Sequence, residues 1–446
     1  MKNRTKQLLS TALLSLCVVF SGCDKFLTVN PPYTQDAENY FQTPEEYEKA
    51  LIGAYDLLQS TFMAVWISEI ASDNTIAGGE SVNDTQGLHQ IDLMTHGGVN
   101  AELRSVFRWN YAGVTRANFI MENKDNIDFT GKDKIIAEAK FLRAFYYFEL
   151  VKFFGDVPLI IDERIGAQEA TTIPRSPASD VYAQIEQDLI DASSVLDQVS
   201  LIKGKATKGA AMALLGKVYL YQSKFVEAAD KFEEVITSGA YSLISDYNDL
   251  FSVANENNSE TVFDVEYTGA EGGGYGCLVC LEGNAGPGFQ GIRQYDGPVY
   301  GDGNSYNLPT QSLYDAFSPF DVRRGATILD LEAFIAEQAN PESIGYAIGA
   351  GGHTGYYNNK YIKRQGELGL PDNDLTSPVN YRVIRYADVL LMAAEAQYQT
   401  GNSGLAQQYL NQVRLRSGNQ PLSVSSIDVI YNERRLELAC EGHRFF

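Results

Sequence analysis

Residues Thr207 to Tyr241 read TKGAAMALLGKVYLYQSKFVEAADKFEEVITSGAY. Apolar residues recur with a helical period on both sides of a short polar break at Gln222 to Lys224. Upstream, Ala211, Leu214, Leu215, Val218 and Tyr219 share one face; downstream, Phe225, Ala228, Ala229, Phe232, Val235 and Ile236 share another. Gly216 and Ala228 stand twelve residues apart and lack bulk where two helices must approach closely. One such hairpin cannot bury both of its faces, so the rest of the chain must supply partners.

Leu215, Gly216, Tyr219, Ala228 and Phe232 fall at the offsets of a tetratricopeptide hairpin. The copy is degenerate: Met212 replaces the usual Trp and Val235 a later Ala. Ala394 and Ala406 repeat the twelve-residue spacing. Further helices are expected around this hairpin. One opens with Thr43-Pro44-Glu45-Glu46, with Pro in the first turn. Others cover 101–123, 133–154, about 177–196, 386–397, 403–413 and 427–441. The helix at 133–154 is apolar over so much of its girth that it must lie between layers. The predicted fold is mostly α, a tetratricopeptide-like helical-hairpin scaffold over 41–60, 101–240 and 381–446. The stretches 66–100 and 255–380 read as an irregular, loop-rich region with a few short strands, such as Thr261 to Tyr267. Trp66 to His96 loses helical periodicity, and 12 of the chain's 39 glycines lie between Gly269 and Gly303. Structureless stretches of this length inside a compact protein are usually functional or mobile.

The 446 residues carry a formal charge of −22. An acidic chain is a poor partner for nucleic acid, whose phosphates need counter-charge. Lys2, Arg4 and Lys6 precede an apolar run from Leu8 to Phe20, the pattern of a secretory signal over residues 1–22. Ser21-Gly22-Cys23 resembles a lipobox, which predicts acylation of Cys23 and anchoring in lipid. Residues 23–40 form a polar leash, and nothing later reads as a membrane span. Cys277 and Cys280 form a CxxC without the second pair or His pair of a zinc site, leaving open a disulfide or two free thiols. Cys440 reads as core. The sequence stops at Arg444-Phe445-Phe446 without a tail, which reads as truncation.

No catalytic motif is present: no GxSxG, HExxH, GxxxxGK[ST], or GxGxxG between a strand and a helix. The four histidines lack metal-ligand spacing. Asp302-Gly303-Asn304 and Asp372-Asn373-Asp374 are oxygen-rich but complete no EF-hand loop, so no metal or cofactor is expected. Glu433, Arg434, Arg435 and Glu437 on the last helix read as a solvated ion-pair ladder. Aromatic and amide side chains gather instead in the loops: Trp66, Asp73, Asn74, Tyr275, Tyr295, Tyr300 and Tyr306. Rings that take sugar CH faces, beside groups that pair with hydroxyls, make these the candidate ligand-binding residues. Tyrosines that merely pin loops to the scaffold would give the same pattern.

Several blocks together make the chain resemble the SusD/RagB family of outer-membrane nutrient-binding lipoproteins. They are Arg108-Trp109-Asn110-Tyr111 with Arg116-Ala117-Asn118, the run Ala137 to Tyr147 with Gly155-Asp156-Val157-Pro158, and the 207–240 hairpin. Asn258-Ser259-Glu260, Asp321-Val322-Arg323, Arg385 to Leu390, Asn432 to Glu437 and Glu441 to Arg444 complete the set, which spans essentially the whole chain. The resemblance implies one domain over 41–446 on the outer face of the outer membrane. It further implies non-catalytic capture of oligosaccharides, or of peptides in the RagB branch, for a SusC-like TonB-dependent transporter.

Overall fold

The computed structural model describes residues 40–161, 165, 167–270, 282–367, 372 and 374–446. Helix α1 (Pro44–Asp56) starts where Thr43 leaves extended backbone, and the Glu46 carboxylate accepts from the N–H groups of Gln42 and Thr43 at 2.7 and 3.0 Å. A 3₁₀ turn over Leu57–Ser60 leads into α2 (Thr61–Ile70). Helix α3 (Ala101–Glu122) is capped by Asn100, whose Oδ1 accepts from Glu102 and Leu103 N–H, each at 3.1 Å. Helix α4 (Lys132–Phe154) is buried almost all round from Ile135 to Val151, and Gly155 at φ +66° ends it. Then come α5 (Ala178–Val195), α6 (Lys208–Tyr221), α7 (Phe225–Thr237), α8 (Tyr386–Gln399), α9 (Ser403–Arg416) and α10 (Ile427–Leu438).

These helices stack in order: α3 on α4, α4 on α5, α5 on α6, and so on to α9. The chain leaves this stack after Thr237 and returns at Tyr386, and α8 then packs directly on α7. Helix stacking therefore continues across an insertion made between two repeats. Close approach is bought with glycine. A Cβ on Gly216 would lie 2.6 Å from the Phe232 ring, and one on Gly113 would lie 2.4 Å from the Tyr146 ring. The mostly α, tetratricopeptide-like class expected from the 207–240 hairpin is what the structure has.

The insertion is closed at its base by β2 (Thr261–Val265) and β8 (Tyr381–Arg385). Strands β1 (Thr75–Gly78) and β2 (Thr261–Val265) precede the short β3 (Ile292–Arg293), β4 (Asp302–Gly303), β5 (Tyr306–Pro309), β6 (Ile328–Asp330) and β7 (Tyr356–Asn358), and β8 (Tyr381–Arg385) leads into α8. Antiparallel pairing of β2 with β8 sets Thr261 beside Arg385 and Val265 beside Tyr381. Beyond this pair, β1 pairs with β5 and β6 with β7, both antiparallel, and β3 with β4 in parallel. The β1–β5 pair ties the excursion after α2 to the glycine-rich stretch, so two distant stretches form one loop half.

Two expectations are corrected. Trp66 to Ile70 is helical, not irregular; α2 shows no periodic face because Phe62 and every residue from Ala64 to Ile70 are buried. Gln86–Asp92 is also helical. The ladder on the last helix is not solvated: Glu433 and Glu437 are buried beneath cations from distant segments. Finally, Pro44–Ile70 is long and apolar enough to cross a membrane by length and composition. Here it is broken by the 3₁₀ turn, and Leu51, Ala54, Leu57, Leu58 and Ile70 lie in the core.

Candidate functional site

The loop half rests on a buried charged floor. Arg385, at the end of β8, donates to Glu260 at 2.8 Å, Glu437 at 2.6 Å and Glu441 at 2.8 Å. Arg323 pairs with Asp321 and Glu433, both at 2.7 Å, and with Glu437 at 2.9 Å. Lys360 meets Glu441 at 2.7 Å, and Arg416 bridges Glu260 and Glu437. Tyr247 lies under this cluster, with the Arg416 guanidinium 4.9 Å from its ring and its hydroxyl on the Glu437 carbonyl at 2.9 Å. Burial alone would raise the Glu437 pKa, but Arg416, Arg385 and Arg323 together hold it well below the usual carboxylate range. Every ion has a counter-ion, so the cluster fastens α10, β8, β2 and the insertion together and leaves no charge free for a ligand.

On this floor, six of the seven sequence candidates can be placed; Tyr275 lies outside the described residues, as do Cys23, Cys277 and Cys280. Trp66 is buried against Phe289, with ring centroids 4.5 Å apart, and lies 6.1 Å from Tyr306. The Tyr306 hydroxyl donates to Asp84 at 2.6 Å and meets Thr85 at 2.9 Å, and burial pushes its pKa up. Asp73 forms a two-pronged pair with Arg444 at 2.7 and 2.9 Å. Buried Asn74 accepts from Arg435 at 2.8 Å. Asn74, Arg435 and Arg444 line a cleft of about 430 Å³ with Tyr221, Tyr431 and His443. Tyr295 and Tyr300 are both buried and meet edge to face at 6.4 Å. Their hydroxyls donate to the Pro298 carbonyl at 3.0 Å and to Asn359 at 3.3 Å. The structure thus brings Trp66 and Tyr306 together, keeps Tyr295 with Tyr300, and engages Asp73 and Asn74 with the end of α10 and the residues after it.

The loop half also carries aromatic pairs that sequence reading missed. Tyr346 stacks on His353 at 6.2 Å, and its hydroxyl bonds Glu332. Tyr314 stacks on Tyr356 at 4.5 Å with the Arg324 guanidinium 4.9 Å from the Tyr314 ring. Around Tyr346 the chain lies tightly on β1. Ala350 N–H donates to Glu80 O at 2.7 Å, and a Cβ on Gly351 would come within 2.1 Å of Gly78 O. Only glycine permits that approach. The stretch 255–380 read as irregular and loop-rich, and nothing in it signalled which rings would pair. Among the described residues, no group of three or more His, Cys, Asp or Glu is placed to hold a metal.

Comparison with known proteins gives this architecture its relatives. The family described as "SusD family" matches residues 237–446, and that described as "Starch-binding associating with outer membrane" matches residues 25–220. A solved laminarin-binding SusD-like protein is 36% identical, with a TM-score of 0.83 over 91% of this chain and 90% of its own. The chain belongs to the SusD family. Surface glycan-binding protein A from Bacteroides thetaiotaomicron, solved in complex with laminarihexaose, is 26% identical with a TM-score of 0.82, covering 91% of this chain and 89% of its own. SusD-like protein P2 of Formosa agariphila is 28% identical over 97% of this chain and 88% of its own length. In this SusD-family chain the helical stack carries the insertion between α7 and α8.

Proposed function

We propose that this SusD-family protein captures neutral glycans of the laminarin type and passes them to a SusC-like TonB-dependent transporter in the outer membrane, without chemistry of its own. The observation carrying this reading is the likeness, 36% identical and nearly end to end, to a laminarin-binding member of the family. Binding is by ring contacts and hydrogen bonds on the loop half. Trp66, Tyr295, Tyr300 and Tyr306 shape that surface from beneath, and Asp73 and Asn74 hold its edge. Because the scaffold holds the loops in advance, capture costs little ordering entropy. Residues 1–22 serve as signal peptide, Cys23 as the acylated anchor, 23–40 as leash and 41–446 as the binding domain facing the cell exterior.

Affinity electrophoresis of the purified chain in gels containing laminarin, mannan or xylan, with oligopeptide titrations in parallel, tests the reading. Retardation by laminarin is the expected result. Binding of peptides with no retardation in any glycan would favour peptide capture instead. Release of reducing sugar from laminarin would overturn the non-catalytic assignment.

A further inference from the structure

Between Tyr295 and Tyr300 the chain holds a strained residue on the open surface. Tyr300 N–H donates to Pro298 O at 2.9 Å, a bond that spans one residue, and that residue, Val299, sits at φ +72°. This is a γ-turn of the rare positive-φ kind, and a β-branched side chain at its centre adds steric cost that glycine would avoid. Core packing does not account for it, since Val299 is 49% exposed. The surroundings nevertheless clamp the turn. The Pro298 carbonyl also accepts from the Tyr295 hydroxyl at 3.0 Å, and Gln365 donates its N–H to Val299 O at 2.8 Å and its amide to Gly297 O at 2.6 Å. Asp296 and Gly345 exchange backbone bonds at 2.8 and 3.0 Å. Backbone strain that so many bonds maintain is a mark of function at that position.

The chemistry beside Val299 shows what the turn can take. Gln294, Asp296 and Pro298 are exposed. Among the described residues, neither the Asp296 carboxylate nor the Gln294 amide has a side-chain partner, although most carboxylates of the loop half are paired. The turn therefore displays a fixed apolar ledge, Pro298 and Val299, beside an unengaged acceptor and an unengaged amide. A pyranose ring has the complement, a CH face edged by hydroxyl donors. A free carboxylate on an acidic chain also turns away sulfated and uronic sugars.

We infer that the turn from Gln294 to Val299 is a sugar-binding ledge, on which Pro298 and Val299 take the CH face of a neutral hexopyranose and Asp296 accepts from its hydroxyls. The inference rests on the glycan reading and locates it. Tyr295 and Tyr300 become positioning residues that hold the ledge still.

The test is calorimetric titration of the full chain with laminarihexaose, cellohexaose and mannohexaose, for the unaltered protein, Val299→Asn and Asp296→Ala. Asn tolerates positive φ but offers no apolar face. Val299→Asn is expected to weaken the bound hexaose about fivefold, and Asp296→Ala about tenfold. Val299→Asn is also expected to raise Tm by about 1–2 °C as strain is relieved. If the unaltered chain binds a hexaose and both variants match it, the ledge is overturned and the glycan reading stands. If the unaltered chain binds none of the three, the glycan reading falls and the ledge with it. A lower Tm for Val299→Asn would remove the strain argument.

Discussion

Two glycines, each inside a helix, make opposite demands. In α6, Gly216 faces the Phe232 ring so closely that a Cβ would lie 2.6 Å from a ring carbon, and both residues are buried. In α1, a Cβ on Gly53 would meet nothing within 4 Å. Gly53→Ala should stabilise the fold by about 0.5–1 kcal/mol, the usual gain from replacing a mid-helix glycine. Gly216→Ala should instead lose about 1–3 kcal/mol, because overpacking outweighs that gain. Urea unfolding of both variants reads the two signs directly, and equal shifts would show that the α6–α7 contact is loose. This contrast also explains what was legible. Gly216 stood out because its smallness is set by Phe232, a close neighbour in the same hairpin. The orientation of Tyr306 did not, because it is set by a far partner: Tyr306 reaches Asp84 across 222 residues. From sequence, a ring that faces a ligand and a ring that pins a loop look the same.

Between elements, the decisive contacts are ionic. Helix boundaries were legible to within a few residues, since caps such as Thr43-Pro44 and stops such as Gly155 act locally. The environment of α10 was not, because whether Glu433 and Glu437 meet water depends on what β8 and the insertion lay over them. Arg385 joins β8 to Glu260 ahead of β2, to Glu437 in α10 and to Glu441 beyond it. Removing it leaves three buried carboxylates short of a counter-ion, so Arg385→Met should cost about 3–5 kcal/mol. Arg444, paired with half-exposed Asp73, is the matched control, and Arg444→Met should cost no more than about 1 kcal/mol. Denaturant midpoints of the two variants separate a buried junction from a surface pair. Similar small losses would mean that Arg416 and Arg323 neutralise the cluster unaided.

For the whole molecule, these buried charges should set how stability depends on pH. Asp388 is held low by Lys217 and Arg434 against the effect of burial, and Glu437 is held low by its arginines. Both contribute stability above their unfolded pKa values and lose it as pH falls through the folded ones, so the chain should weaken steeply below about pH 4.5. His443 is pushed well below its ordinary value, first by burial and then by Lys217. It stays neutral when folded, so stability is lost as pH falls below about 6.5, where the unfolded imidazole takes a proton. Glu69 runs the other way. It is buried, one of its oxygens has no partner, and burial raises its pKa to about 7. Between about pH 4.5 and 7 the folded state binds the extra proton, so stability falls as pH rises through that window. Burial raises Asp264 to about 7 and Glu256 to about 6, so both slope the same way as Glu69. Together they outweigh His443, and Tm of the unaltered chain should rise as pH falls from about 6.5 to 5. Glu69→Gln removes one slope. It should be more stable than the parent at pH 8 by about 1–2 kcal/mol. Its Tm should then rise less than the parent's between about pH 6.5 and 5, because one of the slopes that oppose His443 is gone. A variant that tracks the parent at every pH would show that Glu69 is ionised in the fold at little cost, with Lys360 supplying more compensation than burial removes.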